Sequence, residues 1–337
     1  MTKKSALERS QIPGWILLVI IGFASTKLSL LVELGGKHPL EASAIAIIIG
    51  VLIRNVFGIP KICSAGVLTG EKLLIAGVVL LGASLDFASI EAQGPKLLCV
   101  VLLTMVVAFF LIVALGRAFS LSPALTILLA VGTTICGTSA IAITAPLIKA
   151  KEEETSYSVA TVALWGLIAI LIYPKIGQML GLSDFTFGVF AGTAIHSTPQ
   201  VVGAGYIFSD AAGQLATAVK LVRNCFMAPL ALLIAIYWSK RTGAAERVKV
   251  DVKNAFPWFL FGYFILAWCS TQGYFTKTGI DGFTEAGKFL VLLGMAAVGL
   301  TTSVASFKAV GSKPLIVGLI SSIVLAGVSA AAIALIL

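Results

Sequence analysis

Apolar runs long enough to cross a bilayer core of about 30 Å, which takes about 20 residues per helix, follow one another from Gly14 to the last residue. Short clusters of glycine, proline, hydroxyl and charged residues separate them. Eleven such runs are found: Gly14–Leu31, Glu41–Phe57, Gly70–Ile90, Pro95–Gly116, Ser122–Lys149, Thr155–Leu180, Asp184–Phe208, Asp210–Trp238, Pro257–Phe275, Asp281–Phe307 and Pro314–Leu337. The predicted fold is an all-α polytopic membrane protein of about eleven transmembrane helices.

Two runs are interrupted near their middles, by "GTTICGTSAIAITAP" (Gly132–Pro146) and by "GTAIHSTPQVVGAG" (Gly192–Gly205). Unpaired backbone in hydrocarbon costs several kcal/mol per group, so a break at depth is tolerated only against protein or a watered cavity. Each break carries a restart signal. Thr198 can cap a helix whose first residue is Pro199, and Gly137 or Thr138 can precede a helix beginning near Ser139. Each would aim the positive end of a half-helix, with free N–H groups, at the middle of the membrane. The plainer alternative is a pair of kinked packing helices, since Gly and Pro are common in membrane helices.

Composition fits the pattern. The 337 residues are 58% hydrophobic and 12% charged, with a mean hydropathy of +1.04, against roughly a quarter charged in soluble chains. There is no room for a sizeable soluble domain, so residues 1–337 read as one transmembrane domain with a cytoplasmic segment at 1–13 and a basic cytoplasmic loop at 239–256. The net charge of +9 is scattered through the joints, without the basic blocks of a nucleic-acid module. It reads as an orientation signal: with the N-terminus inside and every run crossing, fifteen Lys and Arg fall on the cytoplasmic side and six opposite. The C-terminus is then outside. Five widely spaced cysteines give neither a disulfide framework nor a zinc site, and no cofactor is implied. The first run could open a signal peptide, but it lacks a small-residue cleavage site and reads as a retained helix.

Internal similarity points to duplication. Leu73–Leu103 aligned with Leu290–Ile320 gives eleven identities in 31 positions, including Gly77 with Gly294 and Gly82 with Gly299. The two segments run oppositely in this topology, so the repeat is inverted. The interrupted stretches align with each other at a shift of 60, yet they run parallel if both cross. That leaves open whether they are crossing broken helices or re-entrant hairpins.

The sharpest chemical signal is "ATAVKLVRNCFMAPL" (Ala216–Leu230). Lys220 is ten residues past Asp210, about 15 Å along a helix and near the midplane. Thr217, Lys220, Arg223 and Asn224 share one face at helical spacing. A cation at this depth costs at least about 2.5 kcal/mol and seeks a counter-charge. Every acidic residue lies at a run's end or in a joint. Either long side chains reach one of these, Arg223 to Asp184 for example, or the partner is a bound anion. On the second reading, Lys220→Ala or Arg223→Ala removes substrate binding and leaves the protein folded. His196, the histidine at depth, is the candidate for coupling to protons, a structural hydrogen-bonded histidine being the alternative. The hydroxyls of Thr133, Thr134, Thr138 and Ser139 could line a sodium or substrate site, or bond back to helix carbonyls.

At these residues the sequence resembles the YeiH-type family of bacterial inner-membrane proteins, described as sulfate exporters. The resemblance is carried by "CGTSAIAITAPLIKA", "SVATVALWGLIAILIYP", "GTAIHSTPQVVGAG", "KLVRNCFMAPL" and "AAVGLTTSVASFKAVGSKPL" and extends from the second run onward. It implies membership of the wider group of sodium/proton antiporter and bile-acid symporter folds, with inverted repeats and broken helices meeting near the midplane. It puts Cys136–Ser139, His196, Gln200, Lys220 and Arg223 in family motifs. Ser197 stands where members commonly have an acid, and Ser84 where they have a base; the first weakens a His–carboxylate relay, the second weakens sulfate.

The reading is a secondary transporter of a small anion, sulfate or a related sulfur oxyanion or organic anion, working by alternating access in the inner membrane. The expected binding residues are Lys220, Arg223, Asn224, Thr217, His196, Thr198, Gln200, Gly137, Thr138 and Ser139, with a proton or sodium as coupling ion and a homo-oligomer left open. The rivals are a cation/proton antiporter, disfavoured by the missing mid-membrane carboxylate, and a channel or receptor. An intramembrane enzyme using His196 with Ser197 or Cys136 lacks a third orienting residue.

Overall fold

The computed structural model describes residues 11–31, 42–85, 87–242, 258–305 and 310–337. Residues 1–10 and 243–256, most of the two basic segments expected in the cytoplasm, lie outside them. The described residues are helical, without a strand. In chain order the helices are α1 (Ile12–Leu31), α2 (Ala42–Val56), α3 (Lys61–Leu68), α4 (Gly70–Leu81), α5 (Phe87–Ala118), α6 (Pro123–Val131), α7 (Thr138–Leu147), α8 (Glu152–Met179), α9 (Asp184–Ala194), α10 (Thr198–Phe208), α11 (Asp210–Cys225), α12 (Met227–Thr242), α13 (Phe259–Thr271), α14 (Lys277–Thr301) and α15 (Ser312–Ile336). Where described, each of the eleven apolar runs is helical, and among the described residues seven stretches are long and apolar enough to cross a membrane. Where the sequence reads as one domain, the coordinates group into two compact units: Met1–Ser89 with Phe259–Val304, and Ile90–Trp258 with Ala305–Leu337.

In the first unit, apolar residues of α1, α2, α3 and α14 form a core that includes Leu18, Ile21, Ala46, Val67, Leu293 and Ala296. The predicted duplication is written into its packing. A Cβ on Gly77 would lie 2.9 Å from Val291 N, and one on its counterpart Gly294 would lie 2.4 Å from Leu74 Cβ. Leu74 and Val291 are themselves counterparts at the shift of 217, so each glycine of the pair receives the other repeat's residue. Next along, Gly82 abuts Tyr263 O on α13, and its counterpart Gly299 abuts Ile47 O on α2. Both repeats break at one position: Leu85 is extended (φ −70°, ψ 126°), and so is Thr302 (φ −81°, ψ 108°). Since Leu74 faces Gly294 while Leu81 faces Gly287, α4 and α14 run antiparallel. The duplication is inverted, and small residues let its two copies approach closely.

The second unit is organised about α8. Ser122, the N-cap of α6, accepts from Leu125 N and bonds the carboxylate of Glu154 at the start of α8. Ten residues on, Gly132 lies against Val162, so α6 runs parallel to α8. α7 then has to return within four residues of its end to Glu152, which folds it back along α6. The second interrupted stretch does the same. Phe187 near the start of α9 stacks on Phe208 at the end of α10, with ring centroids 4.1 Å apart. α9 runs parallel to α11, with Gly188 beside Leu215 and Gly192 beside Val219, and α10 runs against it, with Gly205 beside Gly213.

Both interrupted stretches are therefore helical hairpins rather than crossings. The ends of the first lie at the start of α8, and those of the second lie beside Gly177 near its end. Their tips meet beside its middle, at Val162 to Gly166. This corrects the parallel relation expected of them. Each hairpin with its following helix, α6–α8 and α9–α11, is one copy of the shift-60 similarity, and the copies are antiparallel. That repeat, too, is inverted.

Candidate functional site

The tips are made by local backbone chemistry. α6 ends in a π-turn, Gly132–Cys136, and Gly137 follows at φ 57°, ψ −127°, a conformation that side chains with a Cβ avoid. A Cβ there would also lie 2.9 Å from Ser197 Cβ on the facing tip. In the second hairpin Ile195 and Ser197 are extended, and α10 begins at Thr198 with Pro199 in its first turn. The caps are Gly137 and Ser197, the second one residue earlier than the sequence suggested. Gln200 holds this end down. Its Oε1 accepts from Ser197 N at 3.1 Å and its Nε2 donates to Ala163 O on α8 at 3.3 Å, over Gly166, where a Cβ would lie 2.0 Å from Oε1.

Each tip has two electrically opposite sides. The ends of α6 and α9 present carbonyl oxygens that no following turn satisfies, and the start of α7 presents first-turn N–H groups; at the start of α10 Pro199 has no N–H and Gln200 N–H is taken by the Ser197 side chain in a capping box, which leaves Thr198 N–H. Lys220 and Arg223, both wholly buried, serve the carbonyl side. Lys220 Nζ donates to Ile135 O at 2.6 Å, to Ile195 O at 3.1 Å and to His196 O. Arg223 donates from Nε to Ile135 O at 2.9 Å, from one terminal nitrogen to Gly192 O at 3.2 Å and Thr193 O. Its other terminal nitrogen donates to Ile195 O at 2.9 Å and, at longer range, to His196 O and Thr133 O. Ile135, Ile195 and His196 thus each accept from both cations.

The counter-charge sought in the sequence is a set of main-chain carbonyls. The three N–H groups of Lys220 are all committed, and so is each nitrogen of Arg223. The ion pair from Arg223 to Asp184 gives way to this arrangement. Asp184 instead accepts from Ser209 Oγ at 2.7 Å. Thr217 turns back onto its own helix, its Oγ1 donating to Gly213 O at 2.7 Å; Thr134 and Thr193 do likewise. Gln200 anchors a tip and has its amide engaged on both sides.

On the N–H side the structure gathers Gly137, Thr138, Ser139 and Thr198, with Asn224 behind them. Thr138 is exposed and Ser139 half-buried. Asn224 Nδ2 donates to Thr198 Oγ1 at 3.0 Å, and Thr198 Oγ1 lies 3.6 Å from Cys136 Sγ on the other tip. A chain of polar contacts thus crosses from α11 through one hairpin to the other. Asn224 Oδ1 is buried without a partner.

His196 points its ring away from the cations that bind its carbonyl. Ser322 Oγ on α15 donates to Gly318 O at 2.9 Å and lies 3.0 Å from His196 Nε2. The hydroxyl has one proton for these two neighbours; given to Gly318 O, it leaves Oγ to accept Nε2–H. Nδ1 is buried and unpartnered. Ser322 was not singled out in the sequence. The signal that could have found it is the stripe Gly318, Ser321, Ser322, Leu325, Ser329 at helical spacing on an otherwise apolar helix. Ser329 in the same stripe bonds Thr193 Oγ1 at 2.6 Å.

Comparison with known proteins completes the description. A UPF0324 membrane protein of Bacillus cereus is 33% identical over 296 residues, 88% of this chain and 84% of that one. Another from the same species is 32% identical over 324 residues, 96% and 94% of the two chains. The solved sodium proton antiporter MjNhaP1 of Methanocaldococcus jannaschii aligns over 99% of both chains at 11% identity with a TM-score of 0.27, too low to say anything about this chain. The family model described as conserved hypothetical protein 698 matches residues 13–318. In agreement with the YeiH-type resemblance, the chain belongs to this family of membrane proteins, the one its UPF0324 relatives represent.

Proposed function

We propose that the protein is a secondary carrier of small anions, with the anion held at the hairpin tips by the first-turn N–H groups of α7, by Thr198 N–H at the start of α10, and by the hydroxyls of Thr138, Ser139 and Thr198. The observation that carries this reading is the charge balance at the tips. Two full positive charges, Lys220 and Arg223, face two half-helix carbonyl ends worth about −0.5 each, while the two N–H ends add about +0.5 each. About two positive charges remain in a region where no described carboxylate bonds the tips. Such a region favours an anion near Thr138 and Ser139, the part of the tips that is not buried. The cations act by field and by fixing the tips, and the hydroxyls and N–H groups make the contacts. His196 remains the candidate for proton coupling, with Nδ1 as the atom that takes the proton.

Hairpin topology also sharpens the orientation. With both hairpins re-entrant, Lys149 and Lys151 move to the cytoplasmic side and Lys175 leaves it, so the split becomes sixteen against five. This supports an inner-membrane protein with a cytoplasmic N-terminus and nine crossings. The family resemblance makes sulfate and related sulfur oxyanions the first candidates, in the outward direction.

The test is a melting-temperature screen of purified protein against sulfate, sulfite, thiosulfate, small organic sulfonates and carboxylates at fixed ionic strength, because a ligand of the native state raises its melting temperature by mass action. A stabilising anion should also exchange across vesicles containing the protein. Ser139→Ala and Thr198→Ala should each weaken its affinity roughly tenfold or more, the loss of one charge-assisted hydrogen bond. No stabilising anion together with no anion flux would reject the carrier reading.

A further inference from the structure

The carbonyl oxygens of Ile135, Ile195 and His196 converge on a single nitrogen, Lys220 Nζ. Two come from the extended link of one hairpin and one from the π-turn of the other, so the tripod exists only when the tips meet. Three buried carbonyls around one centre are what a dehydrated monovalent cation needs, since oxygen dipoles replace its water shell. Ammonium, close to potassium in size, fits the same place and adds directed N–H bonds. A neutral amine would not fit, because its lone pair would face one of the three oxygens. We infer that the tripod is a monovalent-cation site which the protein fills itself, with Lys220 as a covalently tethered cation, and that the protein therefore takes no sodium or potassium at the hairpin tips.

The neighbouring guanidinium supports this assignment. Each oxygen of the tripod also accepts from Arg223, so both lone pairs of each carbonyl are used and no coordination is left for a further ion. Asn224 Oδ1 and His196 Nδ1 are the nearby acceptors without partners. They belong to two different side chains outside the tripod, and neither carries a negative charge. On the carrier reading above, on which this consequence rests, anion transport runs without sodium or potassium, and the tether holds the tips closed in the absence of any ion.

Truncating Lys220 to alanine deletes three carbons and the ammonium, the outline of n-propylammonium. The experiment measures the melting temperature of wild type and Lys220→Ala in choline chloride, with n-propylammonium, ammonium, potassium, sodium or tetramethylammonium exchanged in at constant ionic strength. The variant is expected to melt lower and to recover with rising n-propylammonium, less with ammonium or potassium, and not with tetramethylammonium, which has no N–H and is too large. Wild type is expected to respond to none. A folded variant indifferent to n-propylammonium overturns the inference. So does a wild type whose melting temperature rises saturably with sodium or potassium, and this arm decides the matter if the variant yields no folded protein. In vesicles, anion flux should survive replacement of sodium and potassium by choline, and flux that needs either cation overturns the inference. Absence of flux with every anion in every salt would instead reject the carrier reading, leaving the melting curves to judge the cation site.

Discussion

Replacing Arg223 by alanine separates a residue that binds cargo from one that holds the tips together. Gly192 O and Thr193 O receive bonds from Arg223 and not from Lys220, whereas Ile135 O, Ile195 O and His196 O keep the lysine. Thr133 O, at 3.5 Å from the guanidinium, contributes little. The variant therefore leaves two buried carbonyls unpaired at about 1–3 kcal/mol each, or about 2–6 kcal/mol together. Lost packing of the buried stem adds to this. Against a total stability of about 5–15 kcal/mol the loss is large, and the melting temperature in detergent should fall by something on the order of 5 to 10 degrees. Hydrogen exchange should quicken at residues 192–198 and at 133–138 while the ends of α8 stay protected. Arg223→Lys keeps the charge but offers three N–H groups from one atom, too few to replace the guanidinium, whose three nitrogens serve Ile135 O, Gly192 O, Thr193 O and Ile195 O. It should fall between wild type and alanine. A variant that melts and exchanges as wild type does, yet has lost anion binding, would refute this account and return Arg223 to direct contact with the substrate.

Other outcomes follow from the same contacts. Gly166→Ala puts a methyl group 2.0 Å from Gln200 Oε1, so it should lower the melting temperature, and adding Gln200→Ala should cost little more; additive losses would show that the two residues act separately. Gly77→Val and Gly294→Val crowd counterpart positions of the inverted repeat and should destabilise to a similar degree by thermal melting, a tolerated change at one and not the other contradicting the symmetry. Ser322→Ala removes the hydrogen-bond partner of His196 Nε2 and should move the pH profile of anion flux with little loss of folded protein. A profile unchanged by both Ser322→Ala and His196→Ala would remove the histidine from coupling.

Much of this was legible because membrane insertion is read from local patterns. Where described, each apolar run is helical, both polar interruptions are backbone breaks, and the repeat at a shift of 217 reappears as paired glycine contacts. What could not be read was the course of the chain at the breaks. The two arms of each hairpin, Pro123–Leu147 in the first and Asp184–Phe208 in the second, together have about the length of one crossing, so hydropathy does not distinguish a path straight through from one that returns. Lys149 and Lys151, left on the wrong side by a straight path, were the available hint. The partner of the buried cations was hidden for a different reason. Carbonyl oxygens are common to every residue and leave no mark in a sequence, so a search among side chains finds no counter-charge and turns to a ligand. Thr138, Ser139 and Thr198 are at the tips, with Asn224 behind them on α11; Thr217, on the same face of α11, bonds back to its own helix, and Gln200, which the family resemblance supplied, anchors the second tip.

The first hairpin's tip depends on residues made long after it. Ile135 O waits for Lys220 across 85 positions of chain and for Arg223 across 88. At roughly 5–20 residues per second of synthesis, about 4 to 17 seconds separate the emergence of the tip from that of the donors that satisfy it. During that interval its carbonyls have no partner in the finished arrangement, and hydrocarbon is a costly place for them. The nascent hairpin should therefore linger near the water interface and sink to its final depth only once α11 arrives, which makes the late helix, rather than the translocon's first handling of Pro123–Leu147, the step that seats it.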